Sequence, residues 1–349
     1  AISATGVRIV LAVRRFGKND YDQILGDVAS GVRVVFLDTV GELGKGTVHA
    51  DSPAPTDPAA IFFTSGSTAK PKAVVLSHAA LTHNAYELGE HLGIEPEDRT
   101  WTALPLFFSG GFCLCALSTL SHGGTVVLNE VFEPGAALAR LESERCTVMI
   151  GWTHGAQMLE HPSFERSRLS LRKGVGGNLE LADRFLQPDH RAIGCYGMTE
   201  TSTMCVAGRA TDSREVRRTF GRPMPGVTIR IADPESGAER AAGEEGEILV
   251  RSPAQMLGYD GMRAEDCFDA EGFFHTGDLG FVDHDGCLHF TRRLKDVIKT
   301  MGVNVAAAEV EATLERHPAV ARAYVIGVPH PVRGENVAAF VIPSGATLD

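Results

Sequence analysis

Over its first 150 residues the chain alternates short β-branched runs with stretches of helical periodicity, and few architectures accommodate that rhythm. Residues 7–13 (VRIVLAV) and 32–37 (VRVVFL) read as buried strands on either side of a helical stretch near 21–28. A polar, proline-rich connector (51–58, DSPAPTDP) precedes two apolar runs, 60–63 and 73–76, which flank the polar stretch 64–72. Ser77 is placed to cap a helix running to about His91. Strand, helix and strand follow again at 124–128, 135–145 and 146–150. Such a rhythm predicts α/β architecture with parallel strands.

From about residue 220 the texture changes. Short β runs at 227–231, 246–250 and 280–290, with a turn signal at Asp285-Gly286, predict a small, antiparallel β-rich subdomain. A helix at 306–317 and strands at 321–328 and 337–342 predict a partial α+β unit at the end. With 349 residues, about two domains fit the length.

The net charge of −11 argues against a general nucleic-acid or anionic-membrane binder, while leaving room for an anionic ligand wherever cations cluster. Seven cysteines without a CxxC pair argue against a disulfide framework and favour a reducing compartment, hence a cytoplasmic location. No apolar run reaches the ~18 residues a membrane span needs.

Four stretches could carry chemistry. Residues 64–72 (TSGSTAKPK) put four hydroxyls, a glycine and two lysines between apolar runs, a composition able to wrap phosphate oxygens; a solvated loop is the plain alternative. The spacing is not that of a Walker A loop. At Tyr196-Gly197-Met198-Thr199-Glu200-Thr201 a carboxylate beside hydroxyls suits Mg²⁺, or equally the first turn of a capped helix. His275-Thr276-Gly277-Asp278 could present a turn aspartate to a ribose diol, or be an ordinary Asp turn. Residues 292–299 (RRLKDVIK) gather four cations, as a nucleic-acid patch or a solvated charge run. HExxH and GxSxG are absent, and Cys113-x-Cys115 lies in an apolar run that suits core packing better than a metal.

In order and spacing, TSGSTAKPKAVVLSH, LPLFFSGG, GCYGMTETS, GEILVRSPAQMLGY, FFHTGDLG and RRLKDVIKTMGVNVAAAEVE resemble the AMP-forming adenylating superfamily, which includes acyl-CoA synthetases, adenylation domains and luciferases. The resemblance spans about 60–342 and is strongest to acyl-CoA synthetases. It implies a large domain over 1–294, with the β-rich subdomain at about 220–294, and an incomplete mobile C-terminal domain over 295–349. Thr64, Ser65, Gly66, Ser67, Thr68 and Lys72 would hold the β- and γ-phosphates of ATP, and Thr199 and Glu200 would bind Mg²⁺ and the α-phosphate. Lys72, Thr199 and Glu200 are the implied catalytic groups. Gly176, Gly177 and Asn178 would line the adenine and acyl sites. Tyr196, beside Gly197, would stack on adenine, and Asp278 would take the ribose hydroxyls with help from Arg293. Phe107, Phe108, Gly111, Trp152, Thr153, Gly176 and Met198 would shape the acyl pocket, with Cys113, Cys115 and Leu117 as its floor or the core behind it. Lys295 falls at the implied hinge and Gly302 near the implied coenzyme A tunnel.

The expected partners are a carboxylic acid, ATP with Mg²⁺, and coenzyme A. Loading of an acyl-carrier protein and a non-catalytic nucleotide-binding role are the alternatives. The acyl positions carry no charge to pair an amino group, which favours a fatty or aromatic acid over an amino acid. Several positions depart from the family's pattern. Ala69, Ala73, Arg292 and Met301 stand where glycines are usual, and Phe108 stands at a His-or-aromatic position. Residues preceding the resemblance are fewer than is typical, and no residue can be assigned the C-terminal lysine role. The expectation is a truncated form of a full enzyme, weak in adenylation as it stands.

Overall fold

A computed structural model describes residues 5–28, 31–37, 52–64, 72–151, 155–175, 179–294, 297–300, 303–330 and 334–345. Its centre is a five-stranded, all-parallel sheet in the order Arg191–Ile193, Lys173–Val175, Val148–Ile150, Arg99–Thr102, Thr125–Leu128. Such a sheet must be covered on both faces, and the strand Val148–Ile150 shows how. Met149 packs into a cluster with Trp101, Leu141 and Phe185, whereas Val148 and Ile150 point the other way, to Leu88, Leu92 and Ile193.

The helix His78–Leu92 covers that second face. Ser77 accepts from the Ala80 amide at 3.1 Å, the expected cap, and Gly93 (φ 62°) closes the helix in the left-handed conformation. Beyond its end sits a buried cation: Lys173 Nζ lies 2.6 Å from Asp98 Oδ2 and 3.2 Å from Glu95 Oε2, and it also donates to the Gly93 carbonyl. A cation there meets both the carboxylates and the negative end of the helix dipole. Lys173→Met would leave Asp98, whose side chain is 1% exposed, as an uncompensated buried charge. The expected loss is about 3–5 kcal/mol in urea unfolding, with nucleotide affinity of the folded fraction unchanged.

The two early strands, Ile9–Ala12 and Arg33–Phe36, pair in parallel across the helix Tyr21–Val28, as their rhythm predicts. The runs around residues 64–72 form a hairpin instead: Pro58–Thr64 and Lys72–Ser77 are antiparallel, with Gly258–Tyr259 added as a third strand.

The β-rich region is a four-stranded antiparallel sheet in the order Thr228–Ala232, Gly246–Arg251, Phe274–Val282, Leu288–Arg293. His275-Thr276-Gly277-Asp278 lies inside its third strand, which corrects the expected turn. Gly277 (φ 69°) sits where the pairing with Gly246–Arg251 loses register, so the segment is a strand irregularity that re-aims a side chain. A second antiparallel sheet, Val303–Ala306, Val297–Thr300, Gly334–Pro343 and Val320–His330, is packed by the helix Ala307–Leu314. That helix ends earlier than predicted: after Leu314 the backbone tightens, the Arg316 and His317 amides donating to the Thr313 and Leu314 carbonyls, and Pro318 disfavours helical backbone at His317. Among the described residues no helix is long and apolar enough to cross a membrane.

Candidate nucleotide and acid site

Ligands of open parallel sheets gather at the carboxyl ends of the strands. Here those ends lead directly into the segments singled out by sequence. Thr102 leads to LPLFFSGG, Ile150 to residues 152–154, Val175 to residues 176–178, and Ile193 to GCYGMTE. Ser65, Gly66, Ser67, Thr68, Trp152, Thr153, Gly176, Gly177, Asn178, Lys295 and Gly302 lie outside the described residues. Most of the remaining candidates fall into two adjoining clusters.

The first surrounds Glu200. Thr199–Thr201 is one turn of 3₁₀ helix, held by the Thr201 hydroxyl, which accepts from the Met198 amide at 3.2 Å. The chain then reverses at Ser202, whose φ of 64° is strained for a non-glycine residue, and the Thr203 amide donates to the Thr201 carbonyl at 2.8 Å. The Ser202 hydroxyl donates to the Ala254 carbonyl at 2.8 Å and fastens the turn. Strain held by such contacts fixes the direction in which Thr199 and Glu200 project.

Glu200 Oε1 accepts a hydrogen bond from Tyr259 at 2.8 Å, and the Lys72 ammonium lies 4.5 Å from the centroid of the same ring. Lys72 is paired with Thr64 at the connected end of the hairpin, so the 65–71 connection starts from a strand end tied to Glu200 through Tyr259. Burial, and then the neighbouring Glu200 charge, push the Tyr259 phenol above its ordinary value, so it keeps its proton and remains a donor. From the other side, Ser109 Oγ lies 3.2 Å from Thr199 Oγ1.

Ser109 begins a segment whose geometry the sequence did not announce. Gly110–Leu117 is a π-helix, a rare form often found at functional sites. Gly111 is required there, because a Cβ would come 2.3 Å from the Pro105 carbonyl oxygen. Cys113 and Cys115 point into two separate cores, and burial pushes each thiol up to about 12. They therefore form the packing behind the site. Phe107 and Phe108, placed in the acyl pocket by sequence, are 71% and 51% exposed, with ring centroids 4.5 Å apart. Met198 is half-buried between two cores.

The second cluster surrounds Asp278, which is 3% exposed. It accepts from the Tyr196 hydroxyl at 2.9 Å, and Arg293 Nε lies 3.1 Å from its other oxygen. Glu247, missed by the sequence reading, shapes the strand irregularity: it accepts from the Gly277 amide at 3.1 Å and lies 3.0 Å from His275 Nδ1. Tyr196 is packed rather than open. Its ring is 7% exposed, stacked on Phe290 at 25° and edge-on to Phe220. Burial, with Asp278 beside it, pushes its phenol up. Since Tyr196–Gly197 runs straight into Thr199 and Glu200, the two clusters adjoin.

Among the described residues no group of three or more His, Cys, Asp or Glu side chains could hold a metal alone. Mg²⁺ asks less of a protein: one or two carboxylates, with phosphate oxygens and water completing the shell. Glu200 meets that need, with one carboxylate oxygen engaged by Tyr259 and the Thr199 hydroxyl next to it. A cavity of about 760 Å³ opens at the amino ends of the central parallel strands, lined by Arg99, Glu144, Arg172 and others of both charge signs. It lies away from this chemistry.

Residues 2–260 match the AMP-binding enzyme family and residues 309–349 match the AMP-binding enzyme C-terminal domain. The chain is 34% identical to a feruloyl-CoA synthase of an Amycolatopsis species, over 96% of this chain and 73% of that protein. It is also 34% identical to an indoleacetate–CoA ligase of Aromatoleum aromaticum, over 84% of this chain and 59% of that enzyme. Its structure resembles ATP-bound MatB from Rhodopseudomonas palustris (TM-score 0.85, 31% identity, 100% of this chain and 71% of that one). It also resembles o-succinylbenzoate CoA synthetase from Bacillus subtilis in complex with its acyl-adenylate intermediate (TM-score 0.81, 28% identity, 99% and 71%). Motif order, strand-end placement and these likenesses agree, and the chain belongs to the AMP-binding enzymes of the AMP-forming adenylating superfamily, most like its acyl-CoA synthetases.

Proposed function

We propose that this chain carries the adenylate-forming site of an ATP-dependent acid–CoA ligase whose acid is uncharged beyond its carboxylate and is aromatic or fatty. The observation that carries the reading is the contact chain Lys72–Tyr259–Glu200. A lysine ammonium over the face of the Tyr259 ring and a carboxylate at its hydroxyl support reading Lys72 as the phosphate-facing cation and Glu200 as the metal-facing carboxylate.

In the first step an oxygen of the acid's carboxylate attacks the α-phosphorus of ATP. The bond to the bridging oxygen of the β-phosphate breaks, and pyrophosphate leaves. In the second step the coenzyme A thiol, losing its proton, adds to the acyl carbonyl; the acyl–oxygen bond breaks and AMP leaves. Activation is needed because a free carboxylate has an electron-rich carbonyl and no good leaving group. The protein's contribution is positioning and charge neutralisation. Thr64 and Lys72 face the outer phosphates, Thr199 the inner one, and Asp278 with Arg293 the ribose. Glu200 would hold Mg²⁺, which supplies charge to the phosphates when bound. Residues 295–349 are read as the mobile domain that exchanges the two half-reactions.

The acid class rests on Phe107, Phe108, Gly111 and Met198, which offer apolar surface and no charge, and on relatives named for ferulate, indoleacetate and 4-coumarate. Seven free thiols suit a reducing compartment, and we place the enzyme in the cytoplasm. The test is a panel of carboxylic acids with ATP and either coenzyme A or a holo-carrier protein. AMP release and a coenzyme A thioester with an aromatic or fatty acid are expected. ADP as the product, or thioester on the carrier alone, would overturn the reading.

A further inference from the structure

We infer that Tyr259 is a positioning residue of the nucleotide site, setting the distance between Lys72 and Glu200 and committing one oxygen of that carboxylate so that the other is presented to the metal. The inference rests on the nucleotide reading above and adds a residue to it. Three independent contacts support it. The hydroxyl donates to Glu200 Oε1 at 2.8 Å, the ring face receives Lys72 Nζ at 4.5 Å, and the strand bearing Tyr259 is stitched to both neighbours through its backbone. The Met256 amide donates to the Glu200 carbonyl, Leu257 to Val75 and Asp260 to Ala73, each at 2.8 Å. The segment 256–260 is therefore a splint between the Thr199–Thr201 turn and the lysine-bearing strand. Tyrosine suits this place because its two ends do different work: the ring attracts a cation, and the hydroxyl donates to an anion. Were Lys72 and Glu200 to pair directly, each would neutralise the other and neither would be available to the nucleotide. The ring keeps them apart while satisfying both.

The role predicts a separation between two forms of the nucleotide. Isothermal titration calorimetry on the full chain, on Tyr259→Phe and on Tyr259→Leu would measure binding of MgATP and of ATP in excess EDTA. Tyr259→Phe keeps the ring and loses only the hydroxyl. It should weaken MgATP roughly tenfold, in the range seen when partners that orient metal ligands are removed, and leave metal-free ATP within about twofold. Tyr259→Leu should weaken both forms, because Lys72 then loses its ring. A purely structural tyrosine would move both forms together in Tyr259→Phe, and that result, or no change in either form, overturns the inference. The Phe variant preserves packing, so the test stands even if the Leu variant does not fold. MgATP binding by the wild-type chain with an insensitive Tyr259→Phe would sink this inference alone. No binding of MgATP by the wild type would sink the nucleotide reading and this inference with it.

Discussion

Glu200→Ala should abolish Mg²⁺-dependent adenylate formation, with a loss on the order of a hundredfold or more in pyrophosphate exchange. The size follows from what the carboxylate does in the proposed site. Two negative groups, the acid and the triphosphate, must approach each other, and the countercharge that permits it is held by one protein carboxylate. Among the described residues Glu200 belongs to no group of three or more His, Cys, Asp or Glu side chains able to hold a metal. The alanine variant also leaves the Tyr259 hydroxyl without its acceptor, at a cost in stability of about 1–3 kcal/mol. Glu200→Gln separates the two effects. Its amide oxygen still accepts from Tyr259, so the melting temperature should stay near wild type, while exchange falls nearly as far as in the alanine variant. Full exchange in Glu200→Gln would show that the residue's charge is not used, and the metal assignment would be wrong.

Much of the frame behind that prediction was legible in the chain itself. The alternation in the first half specifies parallel strands because buried strands and amphipathic helices have different periods, and Ser77 announces its helix by a capping preference that the structure realises. The antiparallel texture after residue 220 was legible for the same reason, through short strands and an Asp-Gly turn. What the sequence did not reveal depends on contacts between distant segments. His275-Thr276-Gly277-Asp278 reads locally as a turn, yet it is a strand irregularity, because Glu247, 30 residues before Gly277, accepts from the Gly277 amide. The π-helix at Gly110–Leu117 leaves no periodic signature in eight residues that are almost all apolar or small. Tyr259 stands inside a motif that sequence alone marks as a family feature, but its tie to Glu200 spans 59 positions and appears only when the sheet is assembled. Lys173 is similar: a lone lysine starting a strand looks exposed until Asp98 is found beneath it.

Asp278→Ala should weaken ATP on the order of a hundredfold while changing affinity for the acid by less than about threefold. The asymmetry follows from position. Asp278 sits at the strand irregularity, against Tyr196 and Arg293, on a different element from Phe107, Phe108 and Gly111. A carboxylate accepting both hydroxyls of a ribose makes two charge-assisted hydrogen bonds, roughly 1.5–3 kcal/mol each, and a hundredfold corresponds to about 2.7 kcal/mol. The variant also frees Arg293 and removes the acceptor of the buried Tyr196 hydroxyl, so part of the loss could come from local rearrangement. Two controls isolate it. Asp278→Asn retains an acceptor for Tyr196 and should recover stability without recovering most of the affinity. A 2′,3′-dideoxy analogue of ATP should bind wild type about as weakly as ATP binds Asp278→Ala, and should lose little more on the variant, since the interaction is already absent. Equal weakening of acid and nucleotide, or full additivity of the dideoxy and alanine effects, would show that Asp278 holds the fold together without reading the ribose. The nucleoside would then have to be placed elsewhere along the strand ends.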